Sequence, residues 1–266
     1  MPSAISVITL TTDFGKQDYF VASMKGVILG INNQARIIDV SHNIKPHSIK
    51  ETAFLLNSCY QYFPDGTVHV VVVDPGGGSS RRGLLVTTSR FFFVAPDNGV
   101  LSYIFENEID VEVRQIENRQ FRLDSEGATF DGRDLFAPSA AWLTRGQTPG
   151  AYGRLISDYE KLSIQKPEVK KGVLEGRVVY IDHFGNIITD ITPDAIKSLQ
   201  EITKKKGFSL QLGGITLEEL KTHYKQGSTE TPSALINSNG YVELFLRQER
   251  VSDKLGVKIG DLVYVS

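Results

Sequence analysis

Cysteine is almost missing from this 266-residue chain, where Cys59 stands alone. One thiol permits no intrachain disulfide and no cysteine metal cluster, and it suits a reducing compartment. The opening segment, MPSAISVITLTTDFG, carries no basic leader and no adequate apolar core, so it does not read as a signal peptide and a cytoplasmic location is expected. No apolar run approaches the length of a membrane-spanning helix, so no membrane partner is expected. Charge of one sign is not in excess either. The formal net charge is −2, which offers nothing to a polyanion such as nucleic acid. The five histidines are scattered, with no HExxH or HxH spacing, so no metal site is expected. There is no GxxxxGK[ST] phosphate loop. The one glycine run, GGGSS, lacks the lysine and opens no clear helix. No GxSxG elbow announces a serine triad, and internal repeats and low-complexity segments are lacking.

What is present is an ordinary globular composition, 41% hydrophobic and 23% charged, on a chain long enough for one large domain or two modest ones. Ile5 to Thr11 reads as a strand. Tyr19 to Asn32 follows with helical apolar spacing at Phe20, Met24, Val27, Ile28 and Ile31. Ala35 to Val40 reads as a strand and His47 to Tyr62 as a helix, with Ser48 as N-cap and Glu51 at the capping-box position. Strands follow at Val68 to Val73, Gly83 to Thr88 and Phe91 to Ala95, then a helix over Leu135 to Thr144 and a loop over Gln147 to Gly153. This alternation predicts an α/β domain over residues 1–165, with a central, mostly parallel sheet. Residues 166–172 are polar and hold Pro, Lys and Gly, and they read as a linker. Residues 173–266 change character, with strands at Val173 to Ile191, Phe208 to Ile215, Ala234 to Leu246 and Leu262 to Val265. Several alternate apolar and polar side chains, as in VELFLR, and Lys258 to Asp261 reads as a turn between strands. A small C-terminal β-barrel is expected.

The densest signal is TVHVVVVDPGGGSSRR, residues 67–82. The valines suit a parallel strand buried on both faces. Asp74 follows that strand at its C-terminal end, where open α/β sheets place their chemistry. Glycines there admit close backbone approach, and Arg81 could fold back over the same crevice. Asp-Pro-Gly is equally a common turn sequence, so the stretch alone supports both readings. Similar polar clusters stand at Thr12 to Asp18, Pro96 to Gly99, Thr129 to Asp134 and Asp182 to Asn186. Another lies at Asn237 to Tyr241. Each by itself reads first as a turn; carboxylates and glycines recurring where strands end make a site the better joint reading. Cys59 and His69 read as packing residues.

Taken together, TTDFGKQDYFVASMKG (11–26), VVDPGGGSSRR (72–82), APDNGVLS (95–102), TFDGRDLFAPSAA (129–141), IDHFGNIITDI (181–191) and INSNGY (236–241) resemble the S-adenosyl-L-methionine hydroxide adenosyltransferase family. That family is related to the fluorinase and chlorinase enzymes. The resemblance covers most of the chain in order. It implies hydrolysis of S-adenosyl-L-methionine to adenosine and L-methionine, with no metal and no cofactor. It also implies a homotrimer with each site between one subunit's N-terminal domain and a neighbour's C-terminal domain. Asp13 then matches the carboxylate that holds the ribose diol, and Asp18 one near the methionine ammonium. Thr129 lies near the ribose and the attacked carbon. The resemblance likewise implies that Asp182 contacts the methionine amino group, Asn186 the adenine edge, Phe184 the base, and Ser238 the methionine carboxylate.

The family's hydrolases are marked by an Asp-Arg-His trio around the nucleophilic water. Asp74 and Arg81 match its first two members. Where the hydrolases read Phe-His-Gly-Arg-Asp, this chain reads Phe130-Asp131-Gly132-Arg133-Asp134, so Asp131 stands as the third. It is either a working substitute or the mark of a slow or non-catalytic binder of S-adenosyl-L-methionine or adenosine. A halogenase is the third reading. Asp74 opposes it, because a carboxylate repels a halide and accepts a proton from water.

Overall fold

The computed structural model describes residues 7–127 and 129–266. The chain divides into two compact units, with the boundary between Ile164 and Gln165. The first unit carries β1 (Val7–Thr12), α1 (Phe20–Ile31), β2 (Arg36–Ser41), α2 (Ile49–Asn57), β3 (Val68–Val72), β4 (Gly83–Thr87), β5 (Phe92–Pro96), α3 (Ser102–Asn107), β6 (Glu112–Gln115) and α4 (Ala137–Thr144). Its sheet runs β2-β1-β3-β5-β4-β6. The first four strands are parallel, and β4 runs antiparallel to both neighbours. The mostly parallel sheet expected from the alternation is present.

Every residue of β1 and β3 is buried, as a sheet covered on both faces requires. Val70 and Val72 pack with Met24 and Ile28 of α1 and Ala140 of α4. Val71 faces the other way, toward Leu56 of α2 and Ile104 of α3. The same period of two sends His69 into that second core, where its ring stacks on Phe93 with centroids 5.1 Å apart. Its Nδ1 shares a 2.8 Å hydrogen bond with Thr9 Oγ1. Burial drives its pKa down to about 3. The unfolded chain, with a histidine near 6.5, therefore binds a proton that the folded state refuses. Stability is complete above pH 6.5 and falls as pH drops toward 3, by about 1.4 kcal/mol per unit. Urea unfolding should show a loss of about 2 kcal/mol from this group between pH 7 and 5, and His69→Gln should remove that part of the slope. An unchanged slope in the variant would assign the acid sensitivity to other groups.

Two local expectations are revised. Ser48 precedes α2 but makes no side-chain capping bond. His47 adopts φ 66°, which turns its N–H onto Asp13 Oδ2 at 2.9 Å, and Ser48 contributes its carbonyl to Thr52 instead. The helix expected over Leu135 to Thr144 is entered through a π-helical turn, Gly132–Phe136. Pro138 cannot donate into the ladder, so the turn before it is free to widen.

The second unit holds β7 (Glu168–Lys170), β8 (Val173–Ile181), β9 (Ile187–Thr189), α5 (Pro193–Thr203), β10 (Leu210–Leu212), β11 (Ile215–Leu217), β12 (Leu220–Lys221), β13 (Ser233–Ile236), β14 (Val242–Phe245), α6 (Val251–Leu255) and β15 (Leu262–Val265). Residues 166–172, read as a linker, contain β7, which pairs antiparallel with β8. Lys171 and Gly172 at φ 51° and 79° make the tight reversal between them. The strand path runs β11-β10-β15-β8-β9-β14-β13-β12. Its two end strands are chain neighbours, separated only by Glu218 and Glu219. Three Cα steps of about 3.8 Å bring the two edges together, so the sheet curls into a nearly closed barrel. Alternate residues of β8, Leu174, Gly176 and Val178, point into its core. The turn at 258–261 joins α6 to β15 rather than two strands, and Asp261 closes it by accepting the Lys258 N–H at 2.8 Å.

Candidate active site

The parallel strands β1, β3 and β5 lie side by side, and the register sets Thr12 opposite Val72 and Val70 opposite Val94. Asp13, Asp74 and Asp97 therefore emerge together at one C-terminal sheet edge, the position that open α/β sheets use for ligands. The three carboxylates then diverge in role. Asp97 is buried and pairs with Arg82, which also grips Asp158 at 3.0 Å. Asn98 donates to the Val73 carbonyl at 2.9 Å. The APDNG cluster is thus a brace for the sheet edge.

Asp74 and Arg81 form the reactive-looking pair. The glycine loop between them folds back on itself, with Asp74 Oδ1 accepting the Gly76 N–H at 3.2 Å. Arg81 Nη2 sits directly on Asp74 Oδ2 and donates to Asp131 Oδ2 at 3.0 Å. The side chains of Asp74, Arg81 and Asp131 are only 6%, 10% and 10% exposed. Arg81 Nη1 is spent on the Arg82 carbonyl at 2.6 Å. Its Nε is buried with no hydrogen-bond partner among the described residues. Burial holds the Asp74 carboxyl above the usual carboxylate range; Arg81 and the Gly76 N–H oppose this, and the charge of Asp131 adds to it.

Asp131 stands at the mouth of the π-helical turn. The turn is close-packed, since a Cβ on Gly132 would lie 2.8 Å from the Phe130 ring. Phe14 meets Phe130 edge-on with centroids 5.7 Å apart, which ties the Asp13 loop to the 129–134 segment. Thr129 is exposed beside it, and Asp18 is exposed on the Asp13 loop. A fourth charged residue belongs to the group. Arg122 Nη2 donates to Asp131 Oδ1 at 3.0 Å, so each Asp131 oxygen accepts from a different guanidinium. The segment RQFRL around Arg122 carries no motif and no local signal of this role.

In the C-terminal unit, Asp182 closes the β8–β9 turn. Its Oδ1 accepts the Asn186 N–H at 2.8 Å and its Oδ2 accepts Asn186 Nδ2 at 3.1 Å. Because a carboxylate only accepts, the Asn186 amide is fixed with Nδ2 inward and Oδ1 free to accept. Phe184, at the tip of this turn, is 72% exposed. Ser238 is exposed on the next turn, which Asn237 shapes by accepting the N–H groups of Asn239 and Tyr241. Glu243, in the alternating VELFLR stretch, is only 4% exposed. It accepts from Tyr224 Oη at 2.8 Å and Asn237 Nδ2 at 3.1 Å, and burial raises its pKa. Among the described residues no group of three or more His, Cys, Asp or Glu side chains could hold a metal ion. No described helix is long and apolar enough to cross a membrane. Cys59 is half-buried, with its thiol pushed up to about 11 by burial.

An α/β unit with a carboxylate–guanidinium group at its parallel-strand ends, followed by a β-barrel unit, defines a two-part class of protein. Residues 8–153 match the family described as the SAM hydroxide adenosyltransferase N-terminal domain, and residues 176–264 match its C-terminal domain. The chain belongs to this family. It is 34% identical to the (R)-S-adenosyl-L-methionine hydrolase of Methanocaldococcus jannaschii, over 98% of this chain and 96% of that one. It is 27% identical to the fluorinase of an Actinoplanes species, over 98% and 97%. The crystal structure of an uncharacterized conserved protein from Thermotoga maritima superposes with a TM-score of 0.88 at 32% identity, covering 97% of this chain and 99% of that one.

Proposed function

We propose that this protein hydrolyses S-adenosyl-L-methionine to adenosine and L-methionine. The observation that carries the reading is Arg81 held against both Asp74 and Asp131 at the end of β3. Water attacks the ribose 5′ carbon in line with sulfur. The new C–O bond forms as the C–S bond breaks, and the electron pair of that bond leaves with sulfur as a neutral thioether, so no general acid is needed. Asp74 orients the water and takes its proton, and a raised carboxyl pKa suits that task. Arg81 stabilises the developing hydroxide. Asp131 holds Arg81 in place. Much of the rate comes from in-line placement.

The remaining roles belong to the same proposal. Asp13 accepts the ribose diol and Thr129 lies beside the ribose. Asp18 and Asp182 accept the methionine ammonium, and Ser238 donates to the methionine carboxylate. Asn186 Oδ1 accepts the adenine amine and Phe184 packs on the base. The N-terminal unit carries the residues for the reacting centre and Asp18 for the methionine ammonium, and the C-terminal unit carries those for adenine and the rest of methionine. The working form is a homotrimer in the cytoplasm, and sedimentation of the purified protein measures the assembly.

One observation favours a second reading. Both oxygens of Asp131 are already engaged, as in a protein that binds S-adenosyl-L-methionine without cleaving it. Chromatography for adenosine and methionine after incubation with S-adenosyl-L-methionine separates the two, run beside Asp131→His. Product from both proteins is the expected result. Product from the variant alone would make this chain a binder, and halide-dependent formation of a halo-nucleoside would make it a halogenase.

A further inference from the structure

The charged group at the end of β3 is one residue larger than the trio. Asp74, Arg81, Asp131 and Arg122 alternate in sign along a chain of direct contacts. Without Arg122 the group would carry one excess negative charge in a nearly buried place; with it the sum is zero. The same Arg81 nitrogen, Nη2, serves both Asp74 and Asp131. Its two N–H groups can serve one carboxylate each, so a shift of Asp131 would draw that nitrogen with it, and whatever holds Asp131 bears on how fully Arg81 serves Asp74.

Arg122 is placed to do that holding. It ends a single 3-10 turn, Arg119–Phe121, with its N–H on the Arg119 carbonyl at 3.0 Å. The following residue, Leu123, donates its N–H to the Asp134 carbonyl at 2.8 Å, which locks this segment onto the π-helical turn that begins after Asp131. Arg122 itself is 41% exposed, so it is tethered by its backbone and reaches in with its guanidinium. The neighbouring charges are accounted for: Arg133 is paired with buried Asp134, and Arg82 with Asp97 and Asp158.

We infer that Arg122 is a positioning residue for the proposed hydrolysis: it neutralises and fixes Asp131, so that Arg81 stays on Asp74 and the Asp74 carboxylate stays available as the base. This rests on the hydrolase reading for its consequence and on the ion-pair geometry for its coupling. Among the charged groups acting on Asp74, Arg81 favours its ionised form and Asp131 disfavours it. Losing Arg122 leaves the Asp131 charge uncompensated, so the Asp74 carboxyl must then titrate at higher pH.

The test compares the parent with Arg122→Gln, Asp131→Asn and the double variant. The Asp74 carboxyl is followed by carbon NMR titration, and adenosine formation by its pH profile. In Arg122→Gln the Asp74 titration and the acidic limb of the rate should both move to higher pH, with a fall at neutral pH of about tenfold, mid-range for coupling within one ion-pair network. In the Asp131→Asn background the same substitution should move neither. Equal shifts in both backgrounds, or none in either, overturn the inference. The carboxyl titration reads the coupling without turnover, so a parent that forms no adenosine overturns the hydrolase reading alone.

Discussion

Asp74→Ala should lower adenosine formation by about 10²–10⁴-fold, the usual cost of removing a positioned general base, while adenosine binds as in the parent. The base reading competes with a structural one, because Asp74 Oδ1 also accepts the Gly76 N–H and so shapes the glycine loop. Asp74→Asn separates them. Asparagine keeps an acceptor for Gly76 and a group of nearly the same size beside Arg81, but it cannot take a proton from water. The asparagine variant should therefore be nearly as inactive as the alanine variant, with its thermal unfolding close to the parent's. An Asp74→Asn protein that hydrolyses at the parent rate would reduce Asp74 to a loop brace and remove the mechanism.

The elements that carry their own pattern are those the sequence made legible. The valines of 68–73 are buried on both faces because β3 is a central parallel strand, and a continuous apolar run states that directly. Met24 and Ile28 of α1, spaced for one helix face, are both fully buried. No helix is expected between Ile191 and Phe208, yet α5 forms there: Thr192 caps it by accepting the Ala195 N–H at 3.3 Å and Pro193 opens it. At the site, Asp74 and Arg81 could be paired from the sequence because one loop joins them. Arg122 and Glu243 could not. The place of Arg122 depends on a 3-10 turn meeting a π-helical turn, and buried Glu243 is satisfied by Asn237 and by Tyr224, which lies nineteen residues away in sequence. Contacts of that kind are made by tertiary packing, which local period does not encode.

Arg81→Met should produce the second large effect, a loss of roughly 10²–10³-fold at neutral pH, comparable to removing one donor to a developing oxyanion. Its diagnostic is the pH profile. Arg81 is the cation between two carboxylates that are each at least nine-tenths buried. Without it, two like charges share a site from which water is largely excluded, and one of them takes up a proton. Asp74, whose carboxyl burial already raises, is then protonated over part of the neutral range and cannot serve as base. The sign is fixed: the variant should regain activity as pH rises, because deprotonation restores the base, whereas the parent should be flat over the same interval. Methionine keeps the unbranched aliphatic stem beside Phe136, over whose ring the guanidinium lies at 5.5 Å, so lost packing is minimised. Adding Asp131→Asn to Arg81→Met removes the second negative charge and should bring the activity rise back to lower pH. An Arg81→Met profile as flat as the parent's would mean that Arg81 does not govern the charge of Asp74, and the guanidinium would then act on the attacking water alone.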